Sequence, residues 1–292
     1  MFNKKPNDKS NMDDVIGIDK KKKTRKIALI ILLVIMIVAC DMRLKSVVYI
    51  FDSPKIENPV KIAFISDLHG NWYGENQKTL IKAIDKQNPD LVLFGGDIFD
   101  DKISYKESEE TISILSKKYK CYYVSGNHEY WSKDIENIFN IIKSYGVTIL
   151  SGDVETIEIN GQIINICGLD DPDDYVYMSD GISIEEQIKT VNEKVNRDYY
   201  TILLSHRPEY YDLYSRYGFD LVLSGHAHGG QWRIPLILNG LYAPNQGLFP
   251  KYAGGVYDYE GGSMVVSRGL DRQGVKVPRI FNRPEIVFIE IR

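Results

Sequence analysis

Short apolar, β-rich runs at 61–66, 91–95, 121–125, 163–167, 201–205 and 221–224 alternate with stretches whose apolar residues recur at helical spacing, at 75–86, 108–118, 134–144, 183–194 and 209–216. A chain that alternates in this way buries its strands by layering helices over a sheet, so the pattern predicts an α/β domain. Stretches at 147–161, 263–267 and 285–291 add β content without intervening helices, and some antiparallel pairing is expected from them. The 292 residues suffice for a sizeable core, and 43% hydrophobic with 26% charged is ordinary globular composition. Disordered chains and disulfide frameworks are made differently.

Residues that carry chemistry sit at the ends of those strands. Asp67 and His69 follow the first, Asp97 the second, Asn127 and His128 the third, His206 the fifth, and His226 and His228 the sixth. Open α/β sheets place their ligand sites at the carboxyl ends of strands. A lone His there is ordinarily a satisfied core or surface residue, and a lone Asp a turn or cap. All five His of the chain, accompanied by Asp67, Asp97 and Asn127, are not readily explained that way.

Asp67, His69, Asp97, Asn127, His206, His226 and His228 offer imidazole nitrogens and carboxylate or amide oxygens, with no thiol. That donor set suits Mn, Fe or Zn, and it is too large for one ion. It suffices for two divalent ions if one carboxylate bridges, the arrangement that activates water and clamps a phosphoryl group. Gly95-Gly96, Gly126, Gly225 and Gly229-Gly230 flank these positions and permit tight turns.

The blocks Asp67-Leu68-His69, Gly96-Asp97, Gly126-Asn127-His128-Glu129, His206 and Gly225-His226-Ala227-His228 resemble the five-block signature of the calcineurin-like metallophosphoesterases across 61–230. GNHEYW, GHAHGGQ and the stretches at 168–172, 243–252, 267–270 and 282–286 are similar to its membrane-anchored bacterial branch, some members of which cleave the pyrophosphate of a UDP-linked diacylglucosamine lipid. The resemblance implies a four-layer α-β-β-α sandwich of two mixed sheets with a dinuclear site at strand C-terminal ends. It implies one ion on Asp67, His69, Asp97 and His228, and another on Asp97, Asn127, His206 and His226, with Asp97 bridging. It further implies in-line attack by a metal-bound hydroxide, with His128 contacting phosphate as general acid or electrostatic stabiliser. Eukaryotic-type protein phosphatases carry an Arg soon after the bridging Asp and another just before the Gly-Asn-His block. Here 97–102 reads DIFDDK and 124–126 reads VSG, which disfavours that activity.

Trp72, Trp131 and Trp232 each lie three or four residues beyond a motif His. They pack their loops or form an aromatic rim for a nucleobase or lipid chain; Trp72, Trp232 and Arg233 are the substrate-binding candidates, with Arg207 a further phosphate contact. Cys121 and Cys167 sit in strand-like runs and read as buried free thiols.

The net charge of −4 gives no basic excess of the kind a nucleic-acid binder needs. It is unevenly spread, because residues 1–26 carry nine Lys/Arg and four Asp, leaving about −9 on the rest. An uncharged run, IALIILLVIMIVAC, then fills 27–40. At 1.5 Å per residue it covers about 21 Å against a hydrocarbon core of about 30 Å. The expected organisation is a basic cytoplasmic tail at 1–26, a transmembrane signal anchor at 27–40 (or a lipoprotein signal ending at Cys40), a linker and first strand at 41–60, and an extracytoplasmic metallophosphoesterase domain at 61–292. Two function classes follow: a membrane-tethered phosphoesterase acting on a lipid- or nucleotide-linked phosphodiester or pyrophosphate, or a non-catalytic metal-binding envelope scaffold that keeps the fold.

Overall fold

In a computed structural model of the chain, residues 8–272 and 278–292 are described. The chain divides into two units after Asp41. In the first, the helix α1 (Asp8–Ala39) runs without interruption through the basic and apolar stretches, and the side chains of Ile27 and of Leu29 through Val38 are exposed. Among the described residues no helix is long and apolar enough to cross a membrane.

The second unit begins with β1 (Lys45–Phe51), the first strand expected within 41–60, paired in parallel along its whole length with the last strand. Its pairing partner lies some 240 residues away in the register Lys45↔Glu285, and the second unit runs from Met42 to Arg292. There follow β2 (Val60–Ile65), α2 (Lys78–Gln87), β3 (Leu91–Gly95), α3 (Lys106–Ser116), β4 (Lys120–Val124), α4 (Asn127–Trp131), α5 (Ile135–Ser144) and β5 (Thr148–Ile149). The second half runs β6 (Asp153–Ile159), β7 (Gln162–Gly168), α6 (Asp173–Tyr177), α7 (Ile184–Lys194), β8 (Tyr200–Leu204), α8 (Tyr211–Arg216) and β9 (Leu221–Ser224). A short hairpin, β10 (Tyr242–Ala243) with β11 (Gly247–Leu248), precedes β12 (Gly255–Tyr259), β13 (Gly262–Val266) and β14 (Glu285–Ile291).

One six-stranded sheet has the order β1-β14-β2-β3-β4-β5 and the other β12-β13-β9-β8-β7-β6. Both are mixed: β14 runs antiparallel to β2, β6 to β7 and β12 to β13, and the remaining pairs are parallel. Alternation along each strand builds the layers. Ile62 and Phe64 of β2, Leu91 and Leu93 of β3, Ile202 and Leu204 of β8 and Leu221 and Leu223 of β9 meet in one core between the sheets. Ala63 and Ile65, one residue out of phase, pack instead under α2, α3 and α5, while Leu203 and Val222 pack under α7 and α8. Strands buried on both faces read as continuous apolar runs, which is why they stood out in the sequence. The result is an α-β-β-α sandwich of two mixed sheets.

The helix expected over 75–86 starts late. Glu75–Gln77 forms a separate 3-10 turn with Asn76 and Gln77 in the left-handed region. The buried Gln77 amide accepts from the Tyr73 N–H and donates to the carbonyls of Asn71 and Glu107, satisfying a loop that a regular helix would leave unpaired. Cys121 and Cys167 are buried free thiols, and burial pushes each up to about 12.

Candidate metal centre

The parallel strands of both sheets end on one side of the sandwich, and the loops that leave them meet there. Asp67 and His69 leave β2, Asp97 leaves β3, Asn127 and His128 open α4, His206 leaves β8, and His226 and His228 leave β9. One imidazole nitrogen of His206 lies 3.1 Å from Asp97 Oδ2, and one of His69 lies 3.6 Å from the same oxygen. His228 Nε2 is 3.8 Å from Asp67 Oδ1. Donor atoms of Asp67, His69, Asp97 and His228 lie within 4.8 Å of one another, as do those of Asp97, His206 and His226. Asp97 belongs to both groups.

These loops are held in costly backbone. Asp67, His69, Asp97, His226 and His228 all have φ between 46° and 63°. The left-handed region costs an L-residue about 1–2 kcal/mol, and such strain persists only where the surroundings over-determine it. Here the Asp67 N–H donates to the Gly96 carbonyl, the His69 N–H to that of Asp97 and the Gly225 N–H to that of His206. Close approach adds a second constraint: a Cβ on Gly126 would overlap the Asp97 carboxylate.

Each aspartate uses one oxygen and leaves the other without a partner. Asp67 Oδ1 accepts from the His226 N–H and Asp97 Oδ1 from the His128 N–H, both at 2.8 Å. The Oδ2 atoms of Asp67 and Asp97, Nε2 of His69 and His206, Oδ1 of Asn127 and Nδ1 of His228 are buried with no hydrogen-bond partner. His228 Nδ1 faces Asp271 at 3.8 Å, but the others gather around Asp67 and Asp97, an expensive arrangement unless a cation satisfies them. The residues present therefore fit divalent metal, with nitrogen and oxygen donors in keeping with Mn, Fe or Zn.

The outward nitrogens are fixed by neighbours. His206 Nδ1 donates to the Gly95 carbonyl at 2.7 Å and His69 Nδ1 to Asp100 Oδ2 at 2.9 Å, so in each neutral ring Nε2 is left as the lone pair facing the cluster. His226 is oriented the other way, with Nε2 2.9 Å from Asn245 Oδ1. Burial by itself lowers His206, but Asp97 and Asp67 outweigh it and raise the ring to about 10 in the metal-free protein. Ligation requires the neutral ring, so metal and proton compete at Nε2. Metal uptake at neutral pH is accordingly expected to release about one proton from His206, with affinity rising as pH approaches about 10. Titration calorimetry in buffers of different ionisation enthalpy measures that proton count, and a count of zero would contradict the ligand assignment.

A sequence profile described as calcineurin-like phosphoesterase matches residues 60–230. The chain belongs to this family. It is 28% identical over 240 residues to an uncharacterised metallophosphoesterase of Bacillus subtilis, covering 80% of this chain and 79% of that protein. It is 31% identical over 249 residues to one of Campylobacter jejuni, covering 82% and 61%. A Danio rerio transmembrane protein with metallophosphoesterase domain is 27% identical over 250 residues, covering 82% of this chain and 54% of that protein. The chain thus spans most of the Bacillus relative but little more than half of the fish protein.

Residues outside the proposed ligand set also shape this site. Asp100 and Asp101 hold the catalytic candidate: His128 Nδ1 is 2.7 Å from Asp101 Oδ1 and 3.3 Å from Asp100 Oδ2. Burial raises Asp100, but hydrogen bonds from His128 and His69 hold it well below the usual carboxylate range. Burial lowers His128, and Asp97 and Asp100 then raise it to about 9. Beneath the site, Glu129 accepts from the N–H groups of Asp97, Ile98, Phe99 and Gly126 and from the Tyr123 hydroxyl. The doubled Asp at 100–101 was visible in the chain, but nothing local says which imidazole it faces.

The ligand atoms open into a cavity of about 590 Å³. Its walls include His128, Lys102, Ile103, Trp131, Tyr242 and Pro244. Of the three Trp, it is Trp131 that lines this cavity, its ring 4.7 Å from that of His128. Trp72 and Trp232 are exposed and lie off its walls, and Arg233 lines a different cavity. Arg207 is buried and held by both oxygens of Asp171, at 2.5 and 2.8 Å, with a further bond to Asn245. Its donors are largely taken up by the protein, and one of them braces the Asn245 that orients His226.

Proposed function

We propose that the chain hydrolyses a phosphodiester or pyrophosphate bond using two divalent ions, one on Asp67, His69, Asp97 and His228 and the other on Asp97, Asn127, His206 and His226. The observation that carries this reading is the set of partnerless buried donor atoms gathered around Asp97 at the floor of an open cavity. Two such ions supply Lewis acidity, lowering the pKa of water and neutralising charge on phosphoryl oxygens. The cavity exceeds what inorganic phosphate requires, and Ile103, Trp131, Tyr242 and Pro244 give it an apolar and aromatic wall. The substrate on this reading carries an organic group of some size, consistent with a lipid- or nucleotide-linked diester or pyrophosphate.

His128 acts as the general acid. Asp100 and Asp101 occupy Nδ1, which leaves Nε2 to give its proton to the departing oxygen. His128→Ala is expected to lower kcat by about a hundredfold on an ester with an alkoxide leaving group, and far less on a nitrophenyl ester whose leaving group needs no proton. Equal losses on both esters would reduce His128 to a positioning role. A purified chain with no Mn-dependent turnover of any phosphoester supports the scaffold reading instead.

The reading extends to location. The exposed apolar side chains of α1 beyond Lys26 have no partner in water that explains them, and the basic residues before them suit the cytoplasmic face. On this reading 27–40 holds the chain at the cell membrane and the catalytic domain lies outside, although α1 by itself is not long and apolar enough to cross. Sedimentation with membranes through a high-salt wash is expected, and release of the chain by salt alone would remove this part of the proposal.

A further inference from the structure

The segment between the last two metal-ligand candidates and β12 folds back on itself twice. Ile234 and Leu238 exchange backbone bonds around a first tip at Pro235–Ile237, and Leu241 returns its N–H to the carbonyls of Gly230 and Trp232. A second hairpin then pairs Tyr242 with Leu248, and the Phe249 N–H donates back to Leu241. The tips carry large apolar side chains in water: Leu236 is fully exposed, Ile237 is 82% exposed, and Leu248 and Phe249 are each 67% exposed. Leu236 and Phe249 also have positive φ, 67° and 55°, a conformation bulky residues seldom adopt. Strain and solvent exposure at one apolar tip mark an interaction surface.

Charge indicates what lies opposite. Under the first tip is a cavity of about 380 Å³ lined by Arg233 and Arg268 as well as by the apolar residues 234–238. Among the described residues the carboxylate beside them is Glu285, 3.3 Å from Arg268 Nε, so two guanidiniums outnumber one anion, although Arg233 also donates to the Gly229 carbonyl and to Asn239 Oδ1. Lys251 extends the positive side beyond the second hairpin, stacked over Tyr252. Apolar tips above a basic cavity match an anionic lipid surface, with acyl chains taking the tips and headgroup phosphates the guanidiniums.

We propose that the paired hairpins of residues 232–249 dock the catalytic domain directly onto an anionic lipid surface, independently of α1. Tyr242 and Pro244 belong both to this segment and to the wall of the metal-site cavity, so docking brings the cavity mouth to the lipid.

The test uses the full chain with Cys40→Ser and a polarity-sensitive fluorophore on Leu236→Cys, since the other cysteines, Cys121 and Cys167, are buried. Vesicles of phosphatidylcholine with added phosphatidylglycerol are expected to blue-shift the label and to expose it to lipid-borne quenchers. Arg233→Gln is expected to weaken that response severalfold, and so is high salt. Three results would overturn the proposal. One is an unchanged label at 236 while a matched label on Ile30→Cys shifts; another is an equal response on phosphatidylcholine alone; the third is a concentration-dependent shift without vesicles, which would make the hairpins a self-association face. None of these readouts involves turnover, so failure of the docking and failure of the hydrolytic reading are separately visible.

Discussion

Asp97→Asn is expected to lower metal-dependent phosphoesterase turnover by about a thousandfold or more, because it removes the one carboxylate common to both donor groups and with it several kcal/mol of charge stabilisation. The substitution is nearly isosteric. Asp97 Oδ1 accepts the His128 N–H, and an amide oxygen can do the same, so the fold is expected to survive. What changes is the partnerless Oδ2, which lies 3.1 Å from His206 Nε2 and becomes either a neutral amide oxygen or an NH2. Elemental analysis should show a loss of bound metal alongside the kinetic defect, with an unchanged melting temperature. Retained turnover with full metal content would exclude Asp97 as a bridge.

Glu129→Ala is expected to do the reverse and strike stability first. Four backbone N–H groups and the Tyr123 hydroxyl converge on this carboxylate, which is itself fully buried. Each buried donor left unsatisfied costs about 1–3 kcal/mol, although water entering the vacated space recovers part of the sum. A loss of about 4 kcal/mol is expected, which for a domain of this size lowers Tm by about 8–16 °C. Glu129→Gln should also destabilise, since its NH2 would face either the N–H groups of Asp97 and Gly126 or those of Ile98 and Phe99. Thermal unfolding of metal-free protein separates this from any metal effect, and an unaltered Tm would show that Glu129 is dispensable to the loop. The pair of variants thus distinguishes a residue that holds metal from one that holds the residue that holds metal.

The two predictions rest on different kinds of information. Asp97 was recognisable from its place after a strand, in company with His that occupy equivalent places. Glu129 stood in the sequence only as the end of the Gly126-Asn127-His128-Glu129 block, and in the structure it lies in the first turn of α4 and accepts the Gly126 N–H. Its bonds to 97–99 come from a strand-end loop some 30 residues earlier and have no local signature. The same applies to Asp100 and Asp101, whose pairing with His69 and His128 depends on how α4 sits against the β3 loop. Among the aromatic candidates, equal spacing from a motif His did not produce equal placement: Trp131 is carried on α4 into the cavity wall, while Trp72 and Trp232 ride on loops that turn away from it.

The chain by itself determined the layered α/β class and marked seven donor candidates at strand ends, because a strand's apolar run and the polar residue that ends it are adjacent in sequence. Tertiary structure decided what those residues do to one another. Only the stacking of two sheets built from β2–β4 and β7–β9 brings His206 to Asp97 across more than a hundred residues, makes β1 an edge of the first sheet through its pairing with β14, and gathers partnerless atoms of Asp67, His69, Asp97 and His206 into one cluster. Those relations are set by packing and by which buried polar atoms find partners, quantities that exist only once the layers have closed.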